Sequence, residues 1–457
     1  MKYFTLTNRY KRIINLYSQV KGCYYNYQLD FSVIVSFSFI MAVSWMMSAL
    51  HLYLVSGFLF ILLGVVLFCV YYKSTKNYLN SRGLYLFVWL FAIGLSAMKF
   101  HPLQVEWKKE TWICLWSSVV FFLIGYNFAR RLKVIMPKAK VKYVSEYRMI
   151  IIYSAVIFMV FTLEVIAART IPLFSSNMSA YANFGLPYLH YITVSSVLIT
   201  PFSIVYLFFN KINKSRLFIL AIVNVVMLLI PVLIVSRQLL ILGLLFCFFT
   251  FMELKGPSHI PFKTIGICLA GIIVGWFFLS SSRNQNDEYI KYVFYLDDKM
   301  SVSNYQMYMY LAFNIDNFND AVNNIKGHSI ILHSLNPLLT LTGTKGIISS
   351  LVSEQMPARF LPVFTTYSFL LSPYEDFGVL GVMLYCCGIG LLSGGIEKKI
   401  LEKKNVKTIV LHVIVNYCLI FSFFSSFLSN TSIWVYIILT VLYDLICHND
   451  TNTKMKG

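Results

Sequence analysis

The feature that most limits what this chain can become is a succession of long, almost uncharged apolar runs. They fall at residues 31–50, 52–72, 84–100, 111–129, 149–167, 189–209, 217–235, 238–254, 262–281, 377–396, 408–427 and 432–447. Crossing the hydrocarbon of a bilayer takes about 20 residues of helix, and lipid offers backbone amides no water, so each run must close its hydrogen bonds within itself. The expectation is an all-α polytopic membrane protein with about twelve transmembrane helices. Only 12% of the residues are charged, against about 25% in a soluble domain. A soluble enzyme, a disulfide-rich secreted scaffold and a disordered chain are thereby excluded.

Charge then orients the helices. The 38 Lys and Arg outnumber the 19 Asp and Glu, for a net charge of +19. Basic residues of polytopic proteins collect in cytoplasmic loops, so this balance calls for no nucleic-acid partner. With the N-terminus in the cytoplasm, 27 of the 38 basic residues lie inside and 11 outside, and both termini are expected to be cytoplasmic. The first run follows Lys2, Arg9, Lys11, Arg12 and Lys21 and has no small-residue cleavage site behind it, so it reads as a retained anchor. None of the nine cysteines forms a CxxC pair, which leaves zinc and redox motifs without support. The chain divides into an inner N-terminal segment (1–30), helices one to nine (31–281), a large outer loop (282–376), helices ten to twelve (377–447) and an inner tail (448–457).

The outer loop is 95 residues long and holds nine of the 19 acids; loops of this length usually serve a function. Within it Tyr308, Leu311, Ile315, Phe318, Val322 and Ile325 recur at steps of three and four, while Asn314, Asp316, Asn317, Asn319, Asp320, Asn323 and Asn324 fill the other positions. That spacing predicts an amphipathic helix, with few basic residues to hold lipid headgroups, and it is read as a lid on the bundle. A second short helix is expected through Ile347, Ile348, Leu351 and Val352. Residues 360–372 are apolar but too short to cross, so they are expected to be re-entrant or buried in the loop.

Several residues stand out as chemistry. Arg169, Arg237 and Arg283 follow or separate spans at the outer side, where charge bias disfavours arginine. A guanidinium offers two parallel hydrogen bonds and suits a diphosphate; Arg359 in the loop joins this set. Glu164 is an acid well inside a predicted span, with one of those arginines as its expected partner. Asp376 stands where the loop re-enters the membrane, either as the N-cap of the tenth helix or as a catalytic or substrate-orienting group. His328 and His333 are candidates for a general base. Tyr367 and other loop tyrosines suit the apolar face of a sugar. HExxH, GxSxG, P-loop and Rossmann patterns are absent from the sequence, so metallohydrolase, serine hydrolase, ATPase and dehydrogenase readings lack support.

The run Arg169-Thr170-Ile171-Pro172-Leu173-Phe174 followed by Phe184-Gly185-Leu186-Pro187, the pair Ser236-Arg237, the stretch Ser281-Ser282-Arg283-Asn284, and Phe364-Thr365-Thr366-Tyr367 leading to Asp376-Phe377-Gly378-Val379-Leu380-Gly381 together resemble the Wzy-type oligosaccharide repeat-unit polymerases, or O-antigen polymerases. The likeness spans about residues 149–397. It implies a GT-C-like fold and a membrane glycosyltransferase of the bacterial cytoplasmic (inner) membrane, joining undecaprenyl-diphosphate-linked oligosaccharide units into O-antigen, lipopolysaccharide or capsule glycan. No nucleotide sugar, metal or other cofactor is expected. A flippase that delivers the units and a chain-length regulator are the partners it implies. Arg283, Arg237, Asp376, His328 and His333 would then be catalytic, and Arg169, Arg359, Glu164 and Tyr367 would hold substrate. A lipid-linked oligosaccharide flippase and an O-antigen ligase are the alternatives, the flippase having less use for so much outer mass.

Overall fold

The computed structural model describes residues 28–132, 144–175, 183–256, 302–349 apart from 326 and 330, and 366–448, with isolated positions between 263 and 296. Eleven of the twelve apolar runs coincide with helices. They are α1 (Gln28–Ala49), α2 (Tyr53–Thr75), α3 (Ser81–Ala97), α4 (Lys109–Arg131), α5 (Glu146–Ala168), α6 (His190–Val194) continuing through a 3-10 turn into α7 (Ile199–Phe209), α8 (Lys214–Leu233), α9 (Arg237–Lys255), α13 (Leu371–Glu402), α14 (Val406–Ile420) and α15 (Thr431–Ile446). The outer segment adds α10 (Val302–Asn324), α11 (Asn336–Leu341) and α12 (Lys345–Ser349). The ninth run, 262–281, lies largely outside the described residues. Among the described residues eight helices are long and apolar enough to cross a membrane, and α3, α14 and α15 are shorter apolar helices.

Polar residues at the loop edges start many of these helices. The side chains of Asn80, Ser145, Asn213, Ser236, Asn405 and Asn430 each accept from a backbone N–H of the first turn they precede, which is worth about 1 kcal/mol at each end. Two apolar cores result. One joins α1–α4 with α10, α13 and Val415 and Leu419 of α14, and the other joins α5–α9 with α15, the rest of α14 and Ile400 of α13. Phe421, Phe424 and Leu428 touch both, so the stretch after α14 marks the seam. Helices α4 and α13 approach most closely through glycine. A Cβ on Gly125 would strike the Cys387 carbonyl, and one on Gly390 or Gly394 would strike the carbonyls of Phe122 or Tyr126. Small residues that let backbones meet are the usual means of holding membrane helices together.

The following ion pairs each join two residues that the topology expected from the sequence puts on the same side. Arg82–Asp30, His412–Glu253, Lys404–Glu253, Lys399–Glu402 and Lys407–Asp444 lie on one side. Lys99–Asp316, His190–Glu164, His333–Glu375 and His51–Glu106 lie on the other. A short parallel pairing of Val144–Ser145 with Cys447–His448 likewise ties two segments expected on the inner side.

Helix α10 corrects one expectation. Its apolar residues do pack on the bundle, Ile315, Phe318, Ala321 and Val322 entering the first core. Its polar face, however, is not in water, because Asn314, Asp316, Asn317 and Asn319 are buried as well. The carboxylate of Asp316 accepts from Ser96 Oγ (2.9 Å), Trp107 Nε1 (3.1 Å), Lys99 Nζ (3.2 Å) and Gln104 Nε2. Asn319 Oδ1 accepts from Lys108 N and Thr111 Oγ1, both at 2.8 Å. The helix is a wedge held on both faces against α3, α4 and the segment between them. Another correction concerns run 408–427: α14 stops at Ile420, and residues 421–430 turn back on themselves. Hydroxyls there bond to each other, as in Ser426 Oγ to Ser429 Oγ (2.7 Å), competing with the helical ladder.

Candidate functional site

A cavity of about 620 Å³ opens at the end of the seam that the sequence places on the outer side. Three segments wall it. Residues 332–345 form one side, 366–372 the floor before α13, and 424–431 the turn between α14 and α15, with Tyr191 and Gln238 contributed by the outer ends of α6 and α9. The lining is chiefly hydroxyl and amide, with Ser372, Ser425, Ser426, Asn336, Asn430 and Thr431 prominent, and it carries the rings of Tyr191, Tyr367, Phe424 and Phe427. Among the described lining residues Lys345 and His333 alone can bear positive charge, and none is a carboxylate.

Each wall is held by a stated set of bonds. The floor hangs from the wedge helix: Ser368 N donates to the Asn314 carbonyl (3.3 Å), Asn317 Nδ2 to the Thr366 carbonyl (2.7 Å), and Phe369 N to the Ser422 carbonyl (2.9 Å). Tyr385 Oη lies 2.8 Å from Ser426 Oγ, and Asn336 Nδ2 donates to the Ser429 carbonyl at 3.4 Å. The loop carrying His333 is anchored on α13. Asp376 Oδ1 accepts from Ser329 Oγ (2.9 Å) and His333 N (3.0 Å), and Asp376 Oδ2 from Ser334 N (2.7 Å). Directly after Asp376 the helix breaks, with Phe377 and Gly378 outside helical geometry. Gly378 has φ +60° and ψ −142°, a region that L-residues avoid, and an added Cβ would also meet the His328 ring at 3.1 Å.

The sequence candidates distribute unevenly about this cavity. His333 and Tyr367 line it. Asp376 is fully buried, and its carboxylate caps the 329–334 loop. Its oxygens accept from that loop, and the break at Phe377 and Gly378 separates it from the helical residues of the tenth span. Glu164 is buried at the outer end of α5, but its partner is not an arginine. Its carboxylate lies 3.1 Å from His190 Nδ1 and accepts from Leu186 N at 3.1 Å, because the 184–190 segment folds back over α5. The residue after His190 is Tyr191, on the cavity wall. Arg237 is the buried first residue of α9, next to the lining residue Gln238. Arg169 is the exposed, left-handed C-cap of α5. His328 is exposed beside Tyr374, ring centroids 6.2 Å apart. Arg283 and Arg359 lie outside the described residues.

Lys345, Asn336 and the polar run Ser425–Thr431 were not among the sequence candidates. Their signal is visible in hindsight as four serines, an asparagine and a threonine within residues 422–431, at the end of a run read as purely apolar. Compared with known proteins, the chain matches no family model, no curated protein and no solved structure.

Proposed function

We propose that this chain is a membrane glycosyltransferase that polymerises undecaprenyl-diphosphate-linked oligosaccharide repeat units at the outer face of the bacterial cytoplasmic membrane. On this reading it has twelve spans and both termini in the cytoplasm. The observation that carries the reading is the cavity, whose hydroxyls, amides and ring faces match the hydroxyl fringe and apolar face of a sugar. The resemblance of residues 149–397 to the O-antigen polymerases adds to it.

In the reaction, a hydroxyl oxygen of the incoming unit attacks the anomeric carbon of the growing chain. The bond from that carbon to the diphosphate breaks, the lipid diphosphate leaves with the electron pair, and the hydroxyl proton passes to a base, the role given to His333. Arg237, Arg169, Arg283 and Arg359 are the residues assigned to the leaving diphosphate, where losing one donor to developing charge costs roughly 100- to 1000-fold in rate. Deleting the gene in its native host should leave single repeat units displayed on the outer surface, and Arg237→Ala should approach the same state. Units trapped inside the cell would identify a flippase instead, and long chains left on the lipid diphosphate a ligase.

A further inference from the structure

We propose that Glu375 is a positioning residue for this transfer, holding the His333 ring so that one nitrogen faces the cavity as a proton acceptor. The proposal rests on the polymerase reading and goes beyond it in naming how the base is oriented. Glu375 Oε2 lies 3.5 Å from His333 Nδ1, and the two side chains are 9% and 23% exposed. Both backbones are fixed independently of that contact. The Glu375 carbonyl accepts from Ser329 N at 2.9 Å and from Ser329 Oγ at 3.3 Å, and His333 N donates to Asp376 at 3.0 Å. Two successive acids at the break in α13 thus hold one loop residue, Asp376 by its main chain and Glu375 by its ring.

The chemistry follows from the choice of nitrogen. An Nδ1–H donated to a carboxylate leaves Nε2 unprotonated and able to accept. A contact of 3.5 Å suits a base that tightens when substrate is bound. Among the described residues, Lys345 lines the same cavity and Asp376 gives its oxygens to Ser329, His333 N and Ser334 N. In the transfer, the acceptor hydroxyl gives its proton to Nε2 as its oxygen bonds to the anomeric carbon, and the ring later releases that proton to water.

The sign of the pH effect is fixed by charge. A carboxylate beside the imidazolium favours the charged ring, so removing it lets the ring lose its proton at lower pH. Rate should rise as the ring deprotonates, so the rising limb should move to lower pH while the plateau falls. The experiment uses spheroplasts, whose outer membrane face is open to buffer. They come from a strain lacking its own copy and supplied with full-length variants. Polymer formed from the cells' own lipid-linked units is sized over time between about pH 5 and 8. Glu375→Gln should lower the plateau by about 10- to 100-fold and displace the limb downward, and Glu375→Asp should restore part of both. An unchanged profile in Glu375→Gln, or a slower one with its limb unmoved, overturns the proposal. Should the Gln variant not accumulate, the Asp variant decides: a displaced limb supports the proposal and an unmoved one overturns it. Long polymer in the strain with no copy at all would instead remove the polymerase reading itself.

Discussion

The two ends of the seam between the cores are both polar, and they are built in opposite ways. At the end expected to be inner, Arg82 is wholly enclosed, its guanidinium 2.7 Å from Asp30 and 4.7 Å from the ring centroids of both Tyr71 and Tyr126. Glu397 accepts from Ser81 N and from Asn80 Nδ2, and Glu253 lies 3.0 Å from His412 Nδ1. Ser81 Oγ donates to Asn416 at 2.8 Å, so this layer also ties α3 to α14. At the opposite end the groups are mostly neutral hydroxyls and amides facing about 620 Å³ of open volume. Charges that are closed in and paired fix a geometry, whereas neutral polar groups left facing a space have bonding capacity to offer a ligand.

That contrast can be broken at either end. The largest effect is expected from Arg82→Ala, which strands the Asp30 carboxylate away from water; opening a buried pair in this manner costs about 3–5 kcal/mol. The variant should be scarce in membranes or melt well below wild type in detergent, and a wild-type melting curve would show that the inner layer is not structural. Next comes Asp316→Ala, which leaves Lys99, Gln104 and Trp107 to find new partners. Each buried group left unsatisfied costs about 1–3 kcal/mol, so the wedge should detach from α3 and α4, seen as faster amide exchange in residues 308–322. The smallest effect on stability belongs to the cavity. Ser425→Trp adds bulk to open volume without removing a side-chain bond recorded for that serine, and it should leave melting within about 1 kcal/mol of wild type while stopping polymer growth.

The spans were legible because a helix in lipid needs only length and apolarity, and α1, α2, α5 and α8 meet both conditions plainly. Helix α10 was half legible. Its three-and-four spacing located it, yet Asn314, Asp316, Asn317 and Asn319 read as a wet face because periodicity cannot know that Lys99, Thr111 and the 366–368 backbone wait opposite. The same blindness gave Glu164 an arginine when the 184–190 segment places His190 there. Of the site, His333 and Tyr367 could be picked out as loop residues of suitable chemistry. The serines of 425–429 could not, since averaging over a span-length window dissolves them among Phe421, Phe423, Phe424 and Phe427.

The most direct test of the central claim, that the outer cavity receives the growing saccharide, is the size distribution of surface glycan made by Ser425→Trp as the cell's only copy. At wild-type abundance and melting temperature, the account predicts single repeat units on the outer surface in place of long chains. A full-length ladder from that variant would contradict it.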